Sequence, residues 1–290
     1  MATVTQIAKS ARQPRGGYIR LADFGEVKYS DALEVSGDYS ISSGLVGVTV
    51  DYLSRAFLGS PVEGAFGIAL RGAKLVGASS VDEARGLCGQ LQRAVDSARS
   101  AEGLSDDDIA HAVSLARFDA AYRAGAKALE RERASSADAA TAADIRTMVA
   151  RTVRFFTENG PLTSTEMTFE GGYFGNIDKG DADYLTADCL WDLKTSKVPP
   201  KPHDTLQLAI YYLLALRSPK PEYRGIERLG FYNPRLNASW DIPVLELDEL
   251  VLDEIQRNVL KMEPIAPARR SPSARGATVS SHDRLAWRLQ

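Results

Sequence analysis

Apolar residues recur at helical spacing from Leu45 to about Leu58, and Gly59-Ser60-Pro61 then stops the pattern. A second helical piece follows over Glu63 to Leu75, in which Gly64, Gly67 and Gly72 read as points of close helix packing. Val81 to Ser100 and Ser105 to Arg133 predict two amphipathic helices, with Ser105 and Asp108 spaced as a capping box at the start of the second. The region from Ala120 to Ala143 is rich in alanine and mixed charge, with a break near Ser135-Ser136. A further helix is expected from Ala142 to Asn159, burying Ile145, Met148, Val149, Val153 and Phe156, and Gly160-Pro161 closes it. Before all of these, short alternations at Tyr18 to Phe24 and Leu33 to Tyr39 read as loops and short strands.

The period changes after Pro161. Thr165 to Phe169, Asp183 to Thr186 and Leu190 to Leu193 are short, aromatic or aliphatic, and separated by turn residues, so they predict three strands. A helix follows from Asp204 to about Leu216, then strands at Leu229 to Asn233 and Ser239 to Val244, then a closing helix over Leu247 to Met262. The predicted order is helix, three strands, helix, two strands, helix. From Pro264 the chain turns rich in Pro, Ser, Ala and Arg, which predicts a tail or strap carrying Arg269, Arg270 and Arg275.

Composition narrows the class without choosing the function. With 290 residues, 44% apolar and 25% charged, the chain can bury a conventional core. Cys88 and Cys189 are the only cysteines and neither has a Cys or His partner nearby, which argues against a disulfide framework or structural zinc. No segment approaches the roughly 18 uninterrupted apolar residues of a membrane span, and no basic-then-apolar leader is visible. A cytoplasmic protein without membrane contact is the expectation. The net charge of −3 leaves a local basic groove open.

Candidate chemistry lies in GDADYLTADCLWDLKT, residues 180–195. Strand residues two apart share a face, so Asp192 and Lys194 emerge together while Leu193 turns the other way, and a hairpin brings Asp183 to them. Two carboxylates beside a lysine suit a hard divalent cation and phosphodiester hydrolysis. Lys194 then either helps deprotonate the attacking water or, if it keeps its proton, stabilises negative charge. Gln207 and Tyr211 lie one helical turn apart and can reach a phosphate, or stack on a base in the case of Tyr211. His111 and His203 lack ligand spacing and read as surface or packing residues, and His282 falls in the tail.

The ordered set Gly180-Asp-Ala-Asp183, Asp192-Leu-Lys-Thr195 and Gln207-Leu-Ala-Ile-Tyr211 resembles the PD-(D/E)XK nuclease superfamily, in its RecB-like branch. That resemblance implies metal binding by Asp183 and Asp192, catalysis by Lys194 with both aspartates, and nucleic-acid contact by Gln207 and Tyr211, with Lys197 as a further phosphate contact. It also implies an acid or histidine from an upstream element. Glu166 is the first choice as third metal ligand, ahead of Glu170, Glu158, Asp119 and His111. The CRISPR-associated members carry a four-cysteine iron-sulfur cluster, so two cysteines place this chain with relatives that lack one.

The expected fold is α/β, at the border of α+β: a PD-(D/E)XK core with a mixed central sheet flanked by helices. Residues 1–135 form a mainly helical region of unassigned role, 136–263 the nuclease-like core, and 264–290 the tail. The expected function is a Mg2+ or Mn2+ dependent deoxyribonuclease, an exonuclease or end-processing enzyme of DNA repair or recombination. DNA is the expected partner, with a helicase or recombination protein as a second. The competing class is a protein that holds nucleic acid, or assembles a complex, on a nuclease fold without cutting.

Overall fold

A computed structural model describes residues 2–133 and 135–264, with all their side chains except that of Asp178. Arg269, Arg270, Arg275 and His282 lie outside the described residues. The chain starts with a short strand β1 (Ala2–Thr3), helix α1 (Val4–Ser10) and strand β2 (Gly25–Lys28). A helical layer follows: α2 (Ser43–Phe57), α3 (Val62–Ala65), α4 (Gly67–Val76), α5 (Ala78–Ser97), α6 (Asp106–Ala116), α7 (Phe118–Ala124), α8 (Ala126–Arg133) and α9 (Ala139–Glu158). Strands β3 (Leu162–Ser164), β4 (Met167–Thr168), β5 (Ile177–Lys179), β6 (Asp181–Ala182), β7 (Tyr184–Thr186) and β8 (Cys189–Leu193) come next. Helix α10 (Pro202–Arg217), strands β9 (Arg228–Asn233) and β10 (Ala238–Pro243), and helix α11 (Glu249–Glu254) complete the described chain.

Side-chain caps set several of these boundaries. Ser42 accepts the Leu45 N–H ahead of α2, Asp138 accepts the Thr141 N–H ahead of α9, and Ser105 with Asp108 forms the expected reciprocal box at α6. The helix expected over Ser105 to Arg133 is instead three pieces, the second break falling at Gly125, whose φ of 81° leaves the helical basin. The strand expected near Leu33 to Tyr39 is a loop. There the Asp144 carboxylate accepts the Ser36 N–H, the Ser36 hydroxyl and the Gly37 N–H, so donors that a ladder would need are used by a side chain on α9. Of the strand expected from Thr165 to Phe169 only the two residues of β4 are extended in a ladder, while β3 lies before that range and joins a different sheet. The closing helix lasts six residues before a π turn at Ile255–Val259. Gly72 packs tightly, as expected: a Cβ there would stand 1.8 Å from the Phe118 carbonyl oxygen of α7.

A mixed six-stranded sheet runs β2-β10-β9-β8-β7-β3. Only the β8–β9 pair is parallel, because α10 carries the chain across between them, and its register sets Asp192 opposite Phe231. On one face Leu185, Leu190, Leu229 and Phe231 pack under α1, α10 and α11. On the other, Phe155 and Phe156 of α9 meet Tyr184, Trp191 and Tyr232, with Phe155 stacked on Tyr232 at 3.9 Å. The amino-terminal segment is part of the same structure. β2 pairs along β10, β1 pairs with β5, and Val4, Ile7 and Ala8 are buried in the cluster that holds α10. Helix α9 in turn contributes Ala142, Ile145, Met148 and Val149 to the core of the helical layer. No helix among the described residues is long and apolar enough to cross a membrane.

Candidate functional site

The hairpin of β7 and β8 pairs Tyr184 with Trp191 and Leu185 with Leu190. One residue beyond the last pair, the Asp183 carboxylate takes the place of a strand partner and accepts the Leu193 N–H at 2.7 Å. Alternation on β8 then puts Asp192 and Lys194 on the face of Leu190, as the sequence predicts. Their charged ends meet, with Nζ of Lys194 2.6 Å from Oδ2 of Asp192. The first turn of α10 supplies a second carboxylate, Asp204, whose Oδ1 is 3.3 Å from the same ammonium. Its other oxygen accepts the Lys201 N–H at the helix start, so one side chain caps α10 and fixes Lys194.

Helix α2 closes the cluster from the helical layer. Asp51 and Arg55 stand one turn apart and form a two-point ion pair, at 3.0 Å from Nε and 2.7 Å from Nη2. The same Nη2 is 3.7 Å from Asp183 Oδ1, and the Tyr184 hydroxyl donates to Asp51 at 2.8 Å. The guanidinium also lies 5.8 Å from the ring centres of Tyr52 and Tyr184. Close approach is possible because Gly47, one turn earlier, faces Thr195, and a Cβ there would come within 2.9 Å of its hydroxyl.

Asp51, Asp183, Asp192 and Asp204 thus face two cations, Arg55 and Lys194. Burial, then the nearby charges of Asp192 and Asp51, push Asp183 up to about 8, against the pull of Arg55 and the Leu193 N–H. Asp192 is raised by its burial, with Asp204 and Asp51 adding to the effect and Lys194 opposing it. Burial alone lowers the affinity of Lys194 for its proton, but Asp192 and Asp204 outweigh it and hold the ammonium far above the ordinary lysine range. Oδ2 of Asp192 is buried and makes its ion pair without a well-directed hydrogen bond.

Gln207 and Tyr211 share a face of α10 as expected, but that face is interior. Only 7% of Gln207 and 3% of Tyr211 is exposed. The Gln207 amide donates to the Tyr211 oxygen at 2.9 Å and to Thr5 at 3.3 Å, and the Tyr211 ring stacks on Phe169 at 5.7 Å. A ring 3% exposed and stacked on Phe169 offers no open face to a base in this arrangement, contrary to the expected stacking role. Its phenol is raised by burial and by Asp192 and Asp183, so Tyr211 backs the carboxylate cluster from the core.

Lys197 is exposed beyond the strand and lies 3.6 Å from Asp38. Glu166 stands on an exposed turn whose backbone bonds Ser164, one residue before β4, whose pairing of Met167 with Ala182 and Thr168 with Asp181 sets Glu166 next in register, opposite Asp183. Glu170 pairs with Lys220 at 2.8 Å, Glu158 is exposed at the end of α9, and buried Asp119 is held by Tyr52 and Arg123. His111 lies on α6, while His203 Nε2 reaches to 3.5 Å from Asp204. Asp51, Arg55 and Asp204 are the members that sequence reasoning missed. A signal for the first two was present, since they are the only charged residues in the otherwise apolar helix from Leu45 to Leu58.

Among the described residues no three His, Cys, Asp or Glu side chains come together as a ready metal cage. Two carboxylates nevertheless suit Mg2+ or Mn2+, which keep several waters and are commonly held by one or two such groups plus substrate phosphate. Asp183 and Asp192 present hard oxygens, mutually repelling and only partly neutralised, at the end of one hairpin. Searches with the chain match no family model, no curated protein and no solved structure.

Proposed function

We propose that this protein is a Mg2+ or Mn2+ dependent nuclease of DNA, built on a PD-(D/E)XK-type core. The observation that carries the reading is the meeting of Asp183, Asp192 and Lys194 at one end of the β7–β8 hairpin. The parallel β8–β9 crossover through α10 agrees with it. Asp183 and Asp192 hold the cation, with Glu166, next in register to Asp183, as the third ligand and Asp51, which shares Arg55 with Asp183, as a further acid of the cluster. When bound, the cation supplies Lewis-acid polarisation of the phosphoryl group and acidifies the attacking water. Lys194, kept protonated by Asp192 and Asp204, stabilises the charge gathering on the phosphate instead of acting as the base. Asp204 and Arg55 position the ammonium and Asp183. The narrower reading, an exonuclease or end-processing enzyme of repair or recombination with a helicase-type partner, rests on the ordered motifs alone.

A non-cleaving assembly role is the second reading. It draws support from the burial of Gln207 and Tyr211 and from Arg55 serving as an internal counter-ion. The test is incubation with end-labelled linear single- and double-stranded DNA and Mn2+, comparing wild type with Asp192→Ala and Lys194→Ala. Cleavage by wild type and its loss, by about a hundredfold or more, in both variants is expected for residues that stabilise the transition state. Equal cleavage by all three proteins overturns the site. Binding without cleavage across substrates and metals favours the assembly reading.

A further inference from the structure

The chain carries a net charge of −3, yet its first acidic residue is Asp23. Ahead of it stand Lys9, Arg12, Arg15 and Arg20, all exposed. Arg20 is paired with Asp23 at 2.9 Å, whereas Lys9, Arg12 and Arg15 form no ion pair among the described residues. They are not on a loose arm. Val4, Ile7 and Ala8 bury α1 in the main core, and Gly17 and Ile19 are buried on the far side of the basic run.

That segment is fastened to the start of α10, where the candidate site lies. The Thr205 hydroxyl donates to the Ile19 carbonyl at 2.7 Å, and a Cβ on Gly17 would come within 3.0 Å of Pro202. Thr205 follows Asp204, the carboxylate that holds Lys194, and before them stands exposed Lys201, whose ammonium forms no ion pair among the described residues. From α1, Thr5 reaches Gln207. A row of unpaired cations is therefore fixed beside a site whose own charges are mainly negative.

We infer that Lys9, Arg12, Arg15 and Lys201 form a phosphate track that binds the backbone of DNA and leads it to Asp192 and Lys194. This rests on the nuclease reading for what the track serves, but its binding can be measured without cleavage. Such contacts displace condensed counterions, so they carry a defined salt dependence and no base preference.

The experiment measures fluorescence anisotropy of a labelled linear oligonucleotide in EDTA over a range of salt concentrations. It compares wild type, the triple variant Lys9→Ala, Arg12→Ala and Arg15→Ala, and the charge-conserving set Lys9→Arg, Arg12→Lys and Arg15→Lys, with melting curves to confirm folding. The neutral triple variant is expected to lose at least about tenfold in affinity near 0.1 M salt and roughly 2 to 3 in the slope of log K against log salt. The charge-conserving set keeps both. An unchanged affinity and slope in the neutral variant overturns the track, even if wild type cleaves DNA. Wild-type binding to anionic lipid vesicles but not to DNA overturns it as well. Charge-dependent binding by wild type with no cleavage under Mg2+ or Mn2+ upholds the track while removing the nuclease reading.

Discussion

Asp183 carries the clearest pH signature in the molecule. Its folded value near 8 lies above the ordinary carboxylate value of 3.8, so between those limits the native state keeps a proton that the unfolded chain has released. More protons bound in the native state means that stability of the metal-free protein falls as pH rises across that window. A cation at Asp183 must displace the proton, so Mg2+ affinity should climb with pH and level off above about 8. Urea melts at a series of pH values, in EDTA and in saturating Mg2+, check both. The downward slope should flatten in Mg2+ and in Asp183→Asn, and a slope indifferent to both would remove Asp183 from the metal site.

Helix α2 converts a helical layer into part of the candidate site. Arg55→Ala leaves Asp51 and Asp183 without their counter-ion in a largely buried setting, for which the expected loss is about 3–5 kcal/mol by denaturant unfolding. Gly72→Ala drives a methyl into the Phe118 backbone and should cost about 3 kcal/mol or more, whereas Gly86→Ala, with open space around it in α5, should gain about 0.5–1 kcal/mol. The long helices were legible because their apolar residues repeat with the helical period, and the hairpin because period two and residue order together align Asp183, Asp192 and Lys194. Strand β2 was not, since all four of its residues are exposed and only pairing with β10 makes them a strand. Helix α1 is seven residues long, too short to show a period. Asp51 and Arg55 meet Asp183 across the fold, and no local pattern announces that encounter.

At the scale of the molecule, residues 136–264 do not contain a complete site or a complete sheet. Removing the preceding residues takes away the β2 edge, the α1 face against α10, and the Asp51–Arg55 pair. A fragment of 136–264 is expected to lack a cooperative urea transition and to lack cleavage. A sharp, reversible melt with activity retained would show that the amino-terminal layers are dispensable to both.

The pairing of Lys28 with Ala238 also has a meaning for synthesis. At the usual pace of translation, β2 waits on the order of 10 to 40 s for its partner to be made. Over the same interval Val4, Ile7 and Ala8 have no α10 to cover them. The helical layer can assemble in that time from contacts within its own stretch of chain, while both ends of the sheet stay open. The nascent chain is therefore exposed to chaperones and to mispairing until its last strand emerges, and slower synthesis lengthens that exposure.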